Sequence, residues 1–303
     1  MKRLMIGQFN NFNKDKQERD FRESFFGVEA CLMQEEKDIL ELVAHAKKQE
    51  FQLGIHFPLR ANQWIHRDPQ FLSRDEEARK QSYAYMENEL DYVNQFNPTY
   101  ILIHYPKPVI IHEQLDLSKW RFGHSSEYDF EAEYNFDVFA KEVRFFFNWL
   151  NDKANQYEFI PVLELDFINE YTWKSSLLED LLKEYPRIKL CLDIARLHLQ
   201  DELDEEFDPF SLVERYSKYT ELVHLSNGRV VDNFSNNHYP ALPTLKTDEG
   251  WADVERYLSI INQSNNTYKI LFEHRSEVIS DEELDACYEW VTRLINSTGE
   301  NCA

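Results

Sequence analysis

Six apolar runs in this sequence end on an ionisable side chain. Leu53-Gly54-Ile55 leads to His56, Ile101-Leu102-Ile103 to His104, and Pro161-Val162-Leu163 to Glu164. Leu190-Cys191-Leu192 leads to Asp193, Leu222-Val223 to His224, and Ile270-Leu271-Phe272 to Glu273. A charge at the end of a buried strand is costly unless it is paired, solvated or bound to a metal. Singly, Glu164, Asp193 and Glu273 read as helix caps or ion-pair partners, and His224 as a hydrogen-bonded core histidine. Brought together, three carboxylates and an imidazole would repel one another and shift their pKa values unless a cation neutralised them. Carboxylate oxygen plus imidazole nitrogen suits Mn²⁺, Zn²⁺, Fe²⁺ or Co²⁺.

The elements that must position these residues alternate along the chain. Short apolar runs at 4–9, 26–31, 52–57, 100–105, 159–165, 188–194, 221–225 and 268–274 read as strands. Segments of helical periodicity lie between them, at 35–48, 75–97, 136–154, 175–184, 209–218, 251–262 and 281–295. Only the first connection, 10–24, carries a weak helical pattern. Eight strands with intervening helices fit a closed barrel or an open doubly wound sheet. No glycine-rich phosphate loop follows the first strand, and the ionisable strand ends favour the barrel, whose strands finish at one mouth. The expected fold is a single-domain (β/α)8 TIM barrel over 1–303, with 107–135 as a lid insertion. Loops of that length in a compact domain are usually functional or disordered. The insertion holds Trp120, Phe122, Tyr128, Phe130 and Tyr134, suited to stacking on a sugar face or packing on the barrel rim or a second subunit. Lys189 and Lys269 begin their strands and are expected to snorkel out of the barrel bottom. Glu158 and Asp166 read as solvated surface.

Composition narrows the classes. The 303 residues are 43% hydrophobic and 15% aromatic, which argues against disorder, and the formal net charge is −22. An acidic chain with no basic stripe disfavours nucleic acid as a partner. Cys31, Cys191, Cys287 and Cys302 form no CxxC pair and no compact framework, as expected of reduced thiols in the cytoplasm. The apolar stretch after Met1-Lys2-Arg3 is too short for a signal-peptide core, and no apolar run approaches a membrane span.

The order and context of the strand ends resemble the xylose-isomerase-like barrel superfamily, which includes sugar isomerases and epimerases, inosose dehydratases and the endonuclease IV class of apurinic-site nucleases. "GIHFPL" is similar to the family's third-strand segment, and "NPTYILIHYP" to its fourth. "IPVLELDF", "IKLCLDIARLHL", "ELVHLSNGR" and "ILFEHR" take the places of its four metal-bearing strands. The resemblance places the metal set on Glu164, Asp193, His224 and Glu273. It likens Asn236-Asn237-His238-Tyr239-Pro240 to the loop that brings a histidine, here His238, near the site. Two positions depart from the nuclease class: Arg196 stands where many members carry histidine, and Asn236 replaces a ligand. One metal is therefore expected rather than three.

The resulting expectation is a metal-dependent isomerase or epimerase of a small sugar-like polyhydroxy carbonyl compound, working through a metal-stabilised enediolate. Glu164 and Glu273 would remove and return the proton. His56, His104, Arg196, Arg229, His238 and Arg275 would bind substrate, with Lys107 a further candidate to hold an anionic group. The cofactor would be one divalent ion, Mn²⁺ first, with Zn²⁺ or Co²⁺ as alternatives. The partner would be the substrate, with no membrane, and the aromatic insertion is compatible with a homo-oligomer. Two alternatives stand beside this: an endonuclease IV-like phosphodiesterase acting on abasic DNA, and a non-catalytic ligand-binding barrel.

Overall fold

A computed structural model describes residues 2–115, 122, 124–229 and 238–297. Eight strands close a parallel barrel: β1 (Leu4–Phe9), β2 (Gly27–Cys31), β3 (Gln52–His56), β4 (Tyr100–Tyr105), β7 (Ile160–Leu165), β8 (Lys189–Asp193), β9 (Thr220–Leu225) and β10 (Lys269–Phe272). The strands β5 (Val109–Ile111) and β6 (Tyr128–Phe130) pair as a separate parallel sheet within the 107–135 insertion. The helices are α1 (Lys14–Asp20), α2 (Glu36–Gln49), α3 (Glu76–Val93), α4 (Phe136–Tyr157), α5 (Glu170–Trp173) and α6 (Leu177–Glu184). They continue with α7 (Ile194–Asp201), α8 (Pro209–Tyr216), α9 (Val254–Ser264) and α10 (Asp281–Asn296). None is long and apolar enough to cross a membrane, among the described residues.

The chain forms two compact units, Gly7–Asn13 with Gly27–Lys189, and Met1–Ile6 with Lys14–Phe26 and Leu190–Ala303. In the first, α2 buries Ile39, Leu42, Val43 and Ala46, and α4 buries Phe139, Val143, Phe146, Phe147 and Leu150, each along one helical face. Asn135 caps α4 by accepting from the Val138 amide, and Asp75 caps α3. In the second unit, Ser280 and Glu283 form a reciprocal capping box at the start of α10. Asp208 caps α8, whose first residue is Pro209.

Register decides which side chains enter the barrel, because parallel partners point to the same face and the side-chain period is two. Glu29 pairs with Gly54, and Gly54 with Tyr100. These three share one level, and Tyr100 Oη donates to the fully buried Glu29 Oε2 at 2.7 Å. Gly54 leaves the space through which the Tyr100 ring passes: a Cβ there would lie 2.2 Å from Tyr100 Cζ. Gly54→Ala is therefore expected to displace the ring and cost about 2 kcal/mol or more through overpacking and loss of a hydrogen bond to a charged group. A urea midpoint unchanged from wild type would refute this packing account.

Several sequence expectations need correction. Residue 194 begins α7 and does not end a strand; Asp193 caps that helix by accepting from the Arg196 amide at 3.0 Å. A helix so short and so close to a strand leaves little periodicity to read. The weak pattern at 10–24 does contain a helix, α1. The insertion, read as a lid, carries the short β5–β6 sheet. Val109, Ile111 and Phe167 form a small core on which Leu115, Phe122, Tyr128 and Phe130 pack, and Tyr134 Oη donates to the Leu72 carbonyl at 2.6 Å. These aromatics are engaged with protein. Trp120 lies outside the described residues, as do Asn236 and Cys302. Lys269 pairs with Glu221 and lies over the Phe26 ring.

Candidate metal centre

The same parity rule places the strand-end residues. Within the first unit, His56 pairs with Leu102, and His104, two residues beyond Leu102, pairs with Glu164. Nε2 of His104 lies 3.2 Å, and Nε2 of His56 3.3 Å, from Glu164 Oε2. The other ring nitrogens are held. His56 Nδ1 sits 3.1 Å from the Phe57 carbonyl, and His104 Nδ1 sits 2.9 Å from Asp68 Oδ2. Those partners only accept, so both Nδ1 atoms carry the proton and both Nε2 atoms face the carboxylate. Two nitrogen lone pairs beside an anionic oxygen call for a proton or a metal ion.

Electrostatics points the same way. Burial disfavours the His56 imidazolium, but Cys31 and the Glu164 carboxylate outweigh it and hold His56 well above the usual histidine range. Burial also works against the Asp68 carboxylate. His104, Lys107 and Arg67 overcome it and hold Asp68 well below the usual range.

Within the second unit, Asp193 pairs with His224 across β8 and β9, and His224 pairs with Leu271 on β10. Glu273 follows Leu271 by two residues, and His224 Nδ1 lies 3.0 Å from Glu273 Oε2. Ligand atoms of Asp193, His224 and Glu273 all lie within 4.8 Å of one another. Those of His56, His104 and Glu164 meet the same condition. Ligands about 2.1 Å from a common ion lie about 3–4 Å apart, so both groups fit a divalent cation after small side-chain adjustments. Glu164 and His224 are fully buried and Asp193 is 2% exposed, so solvent does little to screen the charge in either group.

The remaining predicted residues have these places. Arg196 Nε is 3.5 Å from Asp193 Oδ2. Arg229 lies over the Trp251 ring at 4.9 Å. His238, in the left-handed region at φ 56, has Nδ1 3.1 Å from the Glu273 carbonyl, and its own carbonyl accepts from the Arg275 amide at 2.9 Å. His198 Nε2 contacts the Gly250 carbonyl at 3.0 Å. Lys107, a candidate to hold an anionic group, is buried, 3.2 Å from Asp68 and 2.6 Å from Asp166. Asp166, expected on the surface, is 4% exposed and is that lysine's partner. Asp68 escaped the sequence reading altogether. It sits in the irregular segment between β3 and α3, where no periodicity marks it, and only contact with His104 reveals its part.

His274, next to Glu273, is buried at 6% exposure. Burial, then Lys16, Arg19 and His238, push its pKa down to about 3. An unfolded histidine titrates near 6.5. The native state thus binds the proton less well, and stability present above about pH 6.5 is lost as pH falls towards 3, by up to roughly 4 kcal/mol. Urea unfolding at pH 7 and pH 5 is expected to show a loss that His274→Gln reduces; an equal loss in both proteins would remove His274 as the cause.

A closed (β/α)8 barrel carrying carboxylates and imidazoles at its C-terminal strand ends is a TIM barrel with a candidate metal site. The chain belongs to the xylose isomerase-like TIM barrel family, whose model matches residues 22–293. Solved structures share the fold at low identity. A protein of Thermus thermophilus soaked with ZnCl2 is 16% identical with TM-score 0.59, covering 99% of both chains. The 3-keto-D-glucoside 4-epimerase of E. coli is 12% identical with TM-score 0.59, over 98% of this chain and 100% of that one. D-psicose 3-epimerase from Clostridium cellulolyticum, solved with D-tagatose, is 12% identical with TM-score 0.60, over 97% and 100%. No curated protein matches the chain in sequence.

Proposed function

We propose that the chain is a metal-dependent isomerase or epimerase of a small sugar-like polyhydroxy carbonyl compound. The observation that carries this reading is that each unit gathers strand-end ligand atoms, His56 and His104 with Glu164 in one and Asp193 and His224 with Glu273 in the other. Family membership and the likeness to two sugar epimerases support it. Glu164, Asp193, His224 and Glu273 would hold one divalent ion, Mn²⁺ first and Zn²⁺ or Co²⁺ next. When bound, such an ion supplies Lewis-acid polarisation of a carbonyl and neutralises developing oxyanion charge. Glu164 and Glu273 take the proton from the carbon beside the carbonyl and return it, one from each side of the substrate. His56 and His104, fixed through Nδ1, present Nε2 to a substrate hydroxyl beside Glu164. Arg196, His238 and Arg275 orient the polar substituents, and Arg229 is placed by its stacking on Trp251.

The second group, His56, His104 and Glu164, favours one other reading: a phosphodiesterase of the endonuclease IV type, using more than one ion. Elemental analysis of protein purified without added metal, followed by turnover assays on ketohexoses and on a duplex with one abasic site, separates the two. One ion per chain with ketohexose turnover supports the isomerase. Two or three ions with strand cleavage support the nuclease. No ion, even after incubation with Mn²⁺ or Zn²⁺, would leave a non-catalytic binding barrel.

A further inference from the structure

A cavity of about 320 Å³ opens among the segments that follow β1, β2 and β3. That volume lies at the lower end of small-molecule sites, roughly 300–1,000 Å³. Pro58, two residues beyond His56 in the sequence, lines it. None of the residues that the proposed reaction uses lines it.

Three features distinguish this cavity. The first is charge. The chain carries 55 acidic residues against 33 basic ones. The residues lining this cavity nevertheless include no Asp or Glu, while Arg60 and Arg67 both contribute. In a molecule whose overall field repels anions, this is a place where an anion is locally tolerated. Arg60 is spoken for: it forms a two-pronged pair with Glu89, at 3.0 and 2.8 Å, and lies 3.8 Å over Tyr92. Arg67 keeps a half-exposed side chain at the cavity wall, with Nε 4.0 Å from Asp68 Oδ1. A guanidinium carries five donors in a planar fork, so this one can meet an incoming anion while staying beside Asp68.

The second feature is backbone strain. Asn10, Leu32 and Asn62 all line the cavity, and all have positive φ, at 67, 51 and 60. Leucine adopts this region at a steric cost, and such residues gather where surrounding structure holds a site in shape. Backbone bonds do hold it. Asn10 donates to the Cys31 carbonyl, Gln34 to the Asn10 carbonyl, Leu32 to the Pro58 carbonyl and Ala61 to the Met33 carbonyl, all at 2.9–3.1 Å. The three segments are laced into one rim that needs no ordering on binding.

The third feature is the lining chemistry. Amides from Asn10, Gln34, Asn62 and Gln63 can donate and accept, and Trp64 stacks on Tyr85 at 5.3 Å and 13°. The buried Trp64 Nε1 has no partner among the described residues. Amides beside a fixed indole suit a hydroxylated chain or ring.

We infer that this cavity is a binding subsite for the anionic end of a polyhydroxy compound, a phosphate or carboxylate reached by Arg67 with hydroxyls met by the amides. The inference rests on the proposed function for the polyhydroxy character of the ligand; the anion preference stands on the cavity itself.

The test is calorimetric titration of the full chain with D-fructose 6-phosphate, D-glucuronate, D-fructose and inorganic phosphate. At least one anionic sugar is expected to bind about tenfold or more tightly than D-fructose, the equivalent of one charge-assisted contact. The arm that binds more tightly identifies phosphate or carboxylate. Arg67→Gln is expected to abolish the preference and Arg67→Lys to restore part of it. Trp64→Phe is expected to weaken all the sugars. The Glu164→Gln/Glu273→Gln protein is expected to keep the preference, so that loss of catalysis and loss of this subsite are read separately. Equal binding of the charged and neutral sugars, or a preference unmoved by Arg67→Gln, would overturn the inference. Inorganic phosphate binding as tightly as the sugar phosphate would overturn its polyhydroxy part.

Discussion

The Glu164→Gln/Glu273→Gln protein is expected to purify with less than about a tenth of the wild-type metal and to lose about 10³-fold or more of its turnover. Removing a general acid or base alone costs on the order of 10²–10⁴-fold, and here two metal donors are lost as well. The amides preserve shape, so the barrel should still close. A second consequence has the opposite sign from ordinary core damage. Asp193 and Glu273 present ligand atoms within 4.8 Å of one another. In metal-free protein their repulsion opposes folding, so the double variant stripped of metal is expected to melt no lower than stripped wild type. With metal restored, the order reverses: an ion at about 100 times its dissociation constant adds roughly 2.7 kcal/mol to wild type alone. Elemental analysis and paired melting curves, with and without a chelator, check both. Full metal content in the variant would mean that the ion, if any, sits elsewhere.

Lys107→Met is expected to be the most destabilising of the single substitutions considered, at about 3–5 kcal/mol. The ammonium lies between Asp68 and Asp166, at 3.2 and 2.6 Å, and all three side chains are at most 7% exposed. Removing it leaves two carboxylates in a site that water does not reach, and the penalty of an unpaired buried charge exceeds the worth of the pair. Asp68 also fixes His104, so the loss should spread to the Nε2 atom facing Glu164. The penalty should shrink as pH falls towards the carboxylate range, because a protonated aspartate needs no counter-charge. Urea unfolding at pH 7 and pH 4.5, with Lys107→Arg as the charge-preserving control, measures this. A loss under about 1 kcal/mol would show the lysine to be dispensable.

Much of the barrel is legible in one dimension because its signals are local. A buried parallel strand is apolar throughout, and α2 and α4 repeat their buried residues at helical spacing, so eight strands and most helices can be read directly. The ionisable residue ending each run is equally local, which is why His56, His104, Glu164, Asp193, His224 and Glu273 stand out before any coordinates. Where the signal is short or irregular, reading fails. The four-residue α5 has too few turns to show periodicity, α7 follows β8 directly with no intervening loop to mark its start, and the β5–β6 sheet pairs segments whose partners lie far along the chain.

What only the tertiary structure decided is partnership. Nothing near Lys107 in sequence announces that Asp68 and Asp166 will enclose it. Nothing in "HRDPQ" says that its aspartate will hold the Nδ1 proton of His104. The grouping of His56 and His104 with Glu164 depends on register across β3, β4 and β7, and a shift of one residue would turn each side chain to the other face. The strained rim built from Asn10, Leu32 and Asn62 likewise exists only after three strands are aligned. Propensity and periodicity are short-range and survive in the sequence; register, burial and charge pairing are long-range, and appear only when the chain has closed on itself.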